Sequence, residues 1–600
     1  MDAASPQPAL AVTIWLDRFG SALVQADIAA VTALFADPCY WRDLVAFTWN
    51  IRTLEGRDDI AAMLGAVLAA TGPTNFVPQG EASEKNGVTE GWFTFETAVA
   101  RGQGHVRLKD GRAWTLLTAM TELKGFEEPR GTARAMGAEH GVHPGRENWA
   151  DRRRRERAAF GVTVQPYVLI VGGGQGGIAL GARLKRLGVP ALIVEKNARA
   201  GDSWRNRYRS LCLHDPVWYD HMPYLPFPDH WPVFTPKDKM GDWLEAYVSI
   251  MELDYRTSTE VISARHDDEA GEWTVDLRCG DESLTLRPKH LVLATGMSGV
   301  PNLPEYPGMA SFTGTQHHSS AHKGGEGWTG KRAVVIGSNN SAHDICADLW
   351  ENGATVTMVQ RSSTHVSRSE TLMEFGLGPL YSETALARGI TTEKADMISA
   401  SVPYALVAEW QKPVAAEIHR RDADLHDRLR KAGFMLDMGD DGTGLALKYL
   451  RRGSGYYIDV GASELIADGR IGLKSGVTVT EIKPHSVALS DGSELPADLI
   501  VYATGYGSMN GWAERLISRE VADTVGKCWG YGSNTTKDPG PWEGEQRNMW
   551  KPTQQDGLWF QGGNLHQSRH FSLYLALQLK ARLEGVAGTV YGLQEVFHTA

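Results

Sequence analysis

The sequence predicts an α/β fold in which two Rossmann-like units, each a parallel sheet covered by helices on both faces, follow an α+β domain at the N-terminus. Two observations carry this prediction. A glycine-rich turn follows a short apolar strand at residues 172–177, and a related turn follows another such strand at residues 337–342. From residue 165 onward, continuous apolar runs alternate with helical segments, which is typical of strands buried on both faces of a parallel sheet.

Length, charge and cysteine usage limit the class of protein. A chain of 600 residues exceeds what one hydrophobic core supports, so we expect about two to four domains. The net charge of −11 disfavours nucleic acid as a partner, because phosphate binding favours a basic surface. The five scattered cysteines form no CxxC pair, which favours a reducing compartment. With no signal peptide and no apolar run of roughly 20 residues, we expect a cytoplasmic protein without a membrane partner.

Residues 1–130 predict the α+β domain. Two amphipathic helical patterns, Ile14–Val24 and Asp27–Phe35, come first, and a third helix is expected near Asp58. Strand-like stretches follow, and helices before a curved antiparallel sheet make a cone-shaped domain. The predicted strands are Gly91–Thr97, His105–Lys109 and Ala113–Thr121.

The stretch Trp41–Trp49 resembles the SnoaL-like family of small pocket-bearing domains, but a function does not follow from that fold. Such a domain covers a site, helps dimerisation or acts only as a stability module, and the sequence leaves these alternatives open. Residues 131–164 then form a linker with an arginine-rich part, Asp151–Arg157. On an acidic chain, this run favours a solvated connecting helix over a nucleic-acid or nuclear-import patch.

The first glycine-rich turn predicts a dinucleotide site. Gly172 permits the tight turn, Gly174 lets the backbone approach a pyrophosphate, and Gly177 allows close packing of helix on strand. The following helix, expected at Ile178–Leu187, points its positive end at the phosphates. Glu195 ends the next strand and suits the hydroxyl groups of an adenosine ribose while repelling a 2′-phosphate. This site therefore suits FAD or NAD and not NADP.

The second turn departs from the ideal pattern. It begins at Gly337, but Asn339 replaces the middle glycine and Ala342 the last. The next strand, Thr355–Val359, is followed by Gln360 and Arg361 and carries no carboxylate. Arg361 can contact a 2′-phosphate in a bidentate manner, which favours NADPH. The alternative is an ordinary surface charge, and whether NADH is also accepted stays open.

Several motifs together resemble the flavin-containing monooxygenases and their Baeyer–Villiger relatives over residues 165–590. They are Gly201–Trp204, Arg207–Tyr208, Leu211–His214, Leu293–Gly296, Tyr502–Tyr506 and Gly557–Gln567. The resemblance implies an FAD-binding domain in two parts, residues 165–312 and 491–600. Between them it implies an NADP-binding domain, residues 313–490, with a helical excursion at residues 370–455. The final helix is expected at Ser568–Leu583, with its N-terminus able to stabilise negative charge on the reduced flavin.

The resemblance also implies a set of cofactor contacts. In addition to Gly172, Gly174, Gly177, Glu195, Gly337 and Arg361, the expected residues are Trp204, His214, Val261, Ala294, Thr295, Gly296, Gln567, Ser338, Asn339, Ser341, Thr504 and Gly505.

A linking motif, Phe312-x-Gly314-x-x-x-His318-x-x-x-His322, stands at the crossover into the NADP domain. The Baeyer–Villiger fingerprint usually has Trp at the last position, and ordinary flavin-containing monooxygenases have Phe or Tyr there. With His322 the motif resembles type II flavin-containing monooxygenases, which carry an N-terminal extension and are associated with Baeyer–Villiger activity and relaxed nicotinamide preference. His318 and His322 are candidate catalytic residues or, equally, hinge residues that only make hydrogen bonds. No third ligand supports a zinc site, and we expect no metal.

Two further candidates concern the reacting centre. Ordinary flavin-containing monooxygenases carry an Asn beside the flavin, but the corresponding stretch His214–His221 has none. Asp215, His214 or His221 is the candidate substitute. Arg569 or His570, at the start of the final helix, is the candidate cation that stabilises an anionic oxygen species.

The resemblance thus implies an FAD- and NAD(P)H-dependent monooxygenase that uses a flavin C4a-(hydro)peroxide to insert one oxygen atom from O2. The leading prediction is Baeyer–Villiger oxidation of a small-molecule ketone by a homodimer. The alternatives are N- or S-oxygenation of amines, sulfides or indoles, and a non-catalytic flavin-bound ligand sensor. A disulfide reductase is disfavoured by the absence of CxxC.

Overall fold

A computed structural model describes residues 6–138, 140–297, 299–439 and 441–597; the ends of the two predicted terminal domains, residues 1–5 and 598–600, lie outside the described residues. The N-terminal part combines three helices with a six-stranded sheet in the order β2-β1-β6-β5-β4-β3. Its elements are α1 (Pro6–Val24), α2 (Ile28–Ala33), β1 (Phe35–Leu44), β2 (Ile51–Glu55), α3 (Gly56–Thr71), β3 (Thr74–Lys85), β4 (Val88–Glu96), β5 (Ala100–Lys109) and β6 (Arg112–Leu123).

The predicted helices and later strands of this part are confirmed, but the expected sheet was incomplete. The second helix ends at Ala33, and Phe35 begins a strand. Three strands were missed, namely β1, β2 and β3. Of these, β1 and β3 lack the alternation of apolar and polar residues that marks a half-buried strand. The sheet is also not purely antiparallel, since β1 pairs with β6 in parallel.

Aromatic rings fill the interior between helix α1 and this sheet. Trp15 stacks on Phe19 with ring centroids 4.6 Å apart, and Phe19 meets Trp41 at 5.6 Å. Phe76 and Phe95 stack at 5.7 Å further along the same interior. This packing makes the space between α1 and the sheet a hydrophobic core.

The arginine-rich segment forms helix α4 (Trp149–Ala159). Asn148 caps its N-terminus by accepting a hydrogen bond from the backbone N–H of Asp151. Arg153 is buried and donates to the backbone oxygen of Glu252 at 2.8 Å, so it anchors the helix on the following part of the chain. These contacts agree with the connecting-helix interpretation.

The next part of the chain alternates strands and helices as predicted. Its elements are β7 (Val168–Val171), α5 (Gln175–Arg186), β8 (Ala191–Val194), α6 (Asp202–Arg205), α7 (Lys237–Ile250), β9 (Tyr255–Arg256), β10 (Thr259–Asp267), β11 (Glu272–Cys279), β12 (Glu282–Leu286) and β13 (His290–Leu293).

A second run of strands follows, and it contains the predicted helical excursion. Its elements are β14 (Thr315–His318), β15 (Arg332–Ile336), α8 (Asn340–Glu351), β16 (Thr355–Gln360), β17 (His365–Arg368), α9 (Ser369–Thr371), a π-helical turn (Leu372–Leu377), α10 (Glu383–Ala387), α11 (Thr392–Ala400), α12 (Tyr404–Arg421), α13 (Ala423–Lys431), α14 (Gly444–Arg452), β18 (Tyr456–Asp459), α15 (Ala462–Ala467), β19 (Gly472–Ser475), β20 (Val479–Lys483), β21 (Ser486–Leu489), β22 (Glu494–Pro496) and β23 (Leu499–Tyr502).

The chain then returns to the first sheet through α16 (Asn510–Leu516), α17 (Arg519–Val525), β24 (Leu558–Phe560) and α18 (Leu565–Leu583). The final helix begins three residues earlier than predicted, because Asn564 and Gln567 form a capping box at its start.

Two five-stranded parallel sheets share one topology. The first has the order β24-β13-β7-β8-β9 and the second β14-β23-β15-β16-β19. In each, the strand before the glycine-rich turn is central, and the strand order reverses beside it. Ligands of open α/β sheets bind at the carboxyl ends of the strands at this reversal, so the two turns mark two candidate sites. Within the described residues, none of the helices combines the length and apolarity that crossing a bilayer requires.

Candidate active site

In the first glycine-rich turn, Gly172 and Gly177 are packed against neighbouring backbone atoms, whereas Gly174 faces open space. A Cβ atom on Gly172 (φ +108°) would lie 2.4 Å from the oxygen of Ala294, and one on Gly177 would lie 2.0 Å from the oxygen of Gly172. At Gly174 the nearest atom would be the Ser203 Oγ, at 3.6 Å. The backbone of Gly174 therefore remains approachable at the start of α5, as a pyrophosphate requires.

The carboxylate of Glu195, directly after β8, is held rigidly beside this turn. It accepts hydrogen bonds from the backbone N–H of Gly173 at 2.9 Å and from the backbone and side-chain nitrogens of Asn197 at 2.9 and 2.6 Å. The side chain is buried. Because a carboxylate has about four acceptor positions, it can also accept from a ribose hydroxyl.

Two hydroxyl groups near the turn have no partner among the described residues. The Oγ of Ser203 and the Oγ1 of Thr295 are buried and make no hydrogen bond. Buried hydroxyls are normally paired, so these two atoms fit a polar ligand that passes between them. Together with the open space at Gly174 they fit the predicted FAD.

The remaining residues expected at the first cofactor divide into two groups. Trp204, His214 and Gln567 line one large cavity, and the Trp204 Nε1 donates to the Gln175 Oε1 at 3.3 Å. The segment Ala294–Gly296 follows β13 next to the glycine-rich turn. Val261 is different, because it is buried on β10 opposite Leu277 and does not line the cavity.

The second turn has a similar geometry. Gly337 (φ +131°) allows the chain to pass the strand end after β23, where a Cβ would lie 2.2 Å from the oxygen of Ala503. The side chain of Asn339 does not cap helix α8, so the first N–H groups of this helix are free for phosphate. Ser338 is occupied by a hydrogen bond to Thr364 at 2.8 Å, and Ser341 lines the large cavity.

Arg361 follows β16 and is exposed at the carboxyl end of the second sheet. No carboxylate among the described residues forms an ion pair with it. Its neighbour Gln360 is buried and bonded to the backbone of Met435, so Arg361 is the residue that can reach a ligand. Thr504 and Gly505 lie at the reversal of strand order, where Thr504 donates to the oxygen of Asn302. These features fit the predicted NADPH.

A cavity of about 720 Å³ lies where the two nucleotide units meet. Gln175 and Trp204 contribute from the first unit, and Ser341 contributes from the second. The helical excursion and the N-terminus of α18 form most of the remaining wall. A cavity between two dinucleotide sites is where a third, small molecule can meet both cofactors.

The N-terminal part of the chain contributes two arginines, Arg42 and Arg107, to the wall of this cavity. Arg42 makes a bidentate ion pair with Glu545, at 2.7 and 2.8 Å, and donates to the oxygen of Ala400 at 2.8 Å. Arg107 donates to the oxygen and the hydroxyl of Ser401 at 3.0 and 2.8 Å. Two side chains of the N-terminal part therefore belong to the cavity wall, and no local sequence pattern predicts these long-range contacts.

Asp215 lines the cavity, as expected for a residue near the reacting centre, and so does Asp220, which the sequence did not single out. Burial raises the pKa of both carboxyls. His214 also lines the cavity, and its Nε2 lies 3.5 Å from the Asp344 carboxylate. Burial favours neutral His214, but the hydrogen bond and the charge of Asp344 outweigh it and raise the pKa of His214.

Arg569, expected as a cation that faces the oxygen species, does not line the cavity. Its Nε and one Nη donate to both oxygens of Asp396 at 2.8 and 2.7 Å, and the other Nη donates to the backbone oxygens of Tyr219 and His221. Its charge is neutralised and its donors are occupied by this network. His570 does line the cavity, and burial lowers the pKa of this residue to about 3.

Arg207 is a cation in the cavity wall that the sequence did not single out for this role. It donates to the Tyr506 hydroxyl at 3.1 Å, and no carboxylate in the described part of the chain forms an ion pair with it. Its place in the Arg207–Tyr208 motif was the available signal.

His318 and His322 lie outside the cavity lining. The Nδ1 of His318 accepts from the backbone N–H of Ser320, and its Nε2 contacts the oxygen of Gly505 at 3.0 Å. The Nδ1 of His322 lies 3.1 Å from the Nε2 of His317. Burial lowers the pKa of His318, and that of His322 to about 4. This placement favours the hinge alternative for both histidines.

Comparisons with known proteins show which sequences and which fold this chain resembles. A family model described as pyridine nucleotide-disulphide oxidoreductase matches residues 169–407. Indole-3-pyruvate monooxygenase YUCCA1 of Oryza sativa subsp. japonica is 33% identical over 344 residues, which cover 57% of this chain and 77% of that protein. Probable indole-3-pyruvate monooxygenase YUCCA1 of Arabidopsis thaliana is 31% identical, with 57% and 75% covered. An open crystal structure of cyclohexanone monooxygenase shares the fold, with a TM-score of 0.50 and 18% identity over 70% of this chain and 88% of that one.

Proposed function

Since this chain belongs to the flavin-containing monooxygenase superfamily, we propose that it oxidises ketones to esters or lactones, the Baeyer–Villiger reaction. The enzyme is a flavin-dependent monooxygenase, an oxidoreductase whose cofactors are FAD and NADPH. Its other substrates are O2 and a small molecule. FAD reduced by NADPH would activate O2 at this site, and the protein would position and shield the reactants.

One observation carries the choice of a ketone. The cavity where the two nucleotide units meet carries two carboxyl side chains, Asp215 and Asp220, on its wall. A carboxyl group that holds a proton can donate a hydrogen bond, and such a donor stabilises a carbonyl oxygen as it gains negative charge. A sulfur or nitrogen centre has no such oxygen. The substrate named for the YUCCA relatives, indole-3-pyruvate, is itself a carbonyl compound.

The residues around the two turns have separate tasks in this proposal. The backbone of Gly172–Gly174, the N-terminus of α5 and Glu195 hold FAD. The N-terminus of α8 and Arg361 hold NADPH. Because recognition of the 2′-phosphate depends on one exposed arginine, NADH is also accepted, with lower affinity.

The domain organisation belongs to the same proposal. Residues 1–130 form a SnoaL-like cone domain that covers the cavity, and residues 131–164 link it to an FAD-binding domain made of residues 165–312 and 491–600. Residues 313–490 form the NADP-binding domain, whose excursion at residues 370–455 provides much of the cavity wall. The enzyme acts as a homodimer, which light scattering of the purified protein tests.

Product analysis tests the reaction. Purified enzyme is incubated with NADPH or NADH and with cyclobutanone or thioanisole. We expect a lactone from cyclobutanone with both nicotinamides, and a faster reaction with NADPH. A matched control is Gly174→Asp, which places a carboxylate in front of the pyrophosphate position and should yield colourless, inactive protein. Sulfoxide formation without lactone would instead support heteroatom oxygenation.

A further inference from the structure

Two carboxyl groups on the cavity wall lack the partners that buried carboxyls normally have. Asp220 is 1% exposed, and its Oδ2 is fully buried without a hydrogen-bond partner. Asp215 lies in the same loop and lines the same cavity. Within the described residues, neither side chain forms a hydrogen bond or an ion pair. An unpaired buried carboxylate is costly. Asp220 therefore calls for a ligand or a proton, whereas Asp215 is only partly buried.

The other carboxyls of the cavity wall show the contrast. Asp396 is paired with Arg569, and Asp344 accepts a hydrogen bond from Tyr208 at 2.7 Å. Burial raises the pKa of Asp220, and the charge of Arg569 only opposes this rise. All hydrogen bonds of the Arg569 guanidinium are made with Asp396 and with backbone oxygens. No described cation is therefore bonded to Asp215 or Asp220.

We propose that Asp220, which lines the cavity together with Asp215, holds a proton and presents it as a hydrogen bond to the carbonyl oxygen of the ketone. This inference rests on the proposed function. When an oxygen nucleophile adds to the carbonyl carbon, the π electron pair moves onto the carbonyl oxygen, and a carboxyl O–H in a dry cavity stabilises that charge. A carboxylic acid kept neutral by an apolar site is a known device for this purpose.

The electrostatic surroundings favour a protonated Asp220. Burial raises the pKa of each group, and the charge of Asp215 raises that of Asp220 further. Opposing this, the charge of His214 lowers the pKa of Asp215 and that of Arg569 lowers the pKa of Asp220. The titratable groups that interact with the pair are His214, Arg569, Cys212, Tyr219, Tyr449 and Tyr456.

Two substrates separate this role from a structural one. In Asp220→Ala we expect kcat for cyclobutanone to fall by about 100-fold, the loss typical of one oxyanion donor, while the thioanisole rate and the flavin content stay unchanged. Asp220→Asn retains the shape and a donor and should lose less. The control is Asp229→Asn, an exposed acid of the same segment. Equal losses on both substrates, or no loss on either, would overturn the proposal.

A second measurement does not depend on turnover. The infrared spectrum of the wild-type protein at neutral pH should contain a protonated-carboxyl band that is lost in Asp220→Asn and kept in Asp229→Asn. A band unchanged by Asp220→Asn would refute the proton on Asp220. If the wild type forms no lactone but this band behaves as expected, the proposed function fails while the proton on Asp220 stands.

Discussion

The ion pair between Arg42 and Glu545 joins the N-terminal domain to the last part of the chain, and breaking it provides a quantitative test of how this domain is docked. Both side chains are almost fully buried, at 3% and 2% exposure. The pair is bidentate, and Thr53 donates to the same carboxylate at 2.7 Å. Removing one partner leaves the other charge buried without compensation.

The expected loss in the free energy of unfolding follows from this burial. Loss of one partner of a buried, hydrogen-bonded pair costs about 3–5 kcal/mol, whereas replacing both partners by apolar residues is often nearly neutral. Arg42→Met and Glu545→Leu should therefore each destabilise strongly. The double variant should be more stable than the sum of the single losses predicts. The guanidinium also lies 4.8 Å from the ring of Tyr404, so part of the loss from Arg42→Met is retained in the double variant.

Urea unfolding of the FAD-loaded wild type, the two single variants and the double variant gives the coupling free energy between Arg42 and Glu545 as a double-mutant cycle. The matched control is Arg101→Met, an exposed arginine of the same sheet that pairs with Glu122 and Glu127. Its loss should be much smaller, since water screens the exposed pair. The account of the domain contact would be refuted if Arg42→Met cost no more than Arg101→Met, or if the two single effects simply added.

Three further predictions concern the cofactor sites and the cavity. In Gly177→Ala the added Cβ would lie 2.0 Å from the oxygen of Gly172, so the purified protein should lack bound FAD by its visible spectrum; a fully yellow variant would contradict the tight turn. Arg361→Thr should raise KM for NADPH by about 10- to 100-fold, because a charge-assisted contact is lost, and should leave KM for NADH unchanged. If steady-state kinetics showed equal increases in both KM values, a contact between Arg361 and the 2′-phosphate would be excluded. The raised pKa of His214 stabilises the fold below the pKa of unfolded histidine, and this contribution is lost as pH rises through the folded pKa. Asp344→Asn should therefore lower the Tm of the protein more at mildly acidic pH than at alkaline pH. Equal decreases in Tm at the two pH values would show that Asp344 stabilises the fold through Tyr208 alone.

The sequence predicted the parts of the fold that have a local signal. A strand buried on both faces, such as β7, is a continuous apolar run, and the turn that begins at Gly172 needs its glycines for steric reasons. Strand β3 was missed because it is an exposed edge strand whose residues show no alternation. Predictions therefore succeeded where burial or backbone geometry constrains neighbouring residues.

The candidate site was harder to predict because distant segments build it. Arg42 and Glu545 are 503 positions apart, and no local pattern joins them. Arg569 was a reasonable cation at the start of the final helix, but its charge is neutralised by Asp396, a residue of the helical excursion. Asp220 resembles an ordinary loop acid in the sequence, and only its burial without a partner identifies it.

Isotope incorporation tests whether one oxygen atom of the lactone comes from O2. The purified enzyme is given NADPH, cyclobutanone and dioxygen of a heavy isotope, and the lactone is examined by mass spectrometry. We predict one labelled oxygen atom in each lactone molecule and one NADPH consumed for each lactone formed. NADPH consumption that yields only hydrogen peroxide, or a product without label, would contradict the assignment of this chain as a ketone monooxygenase.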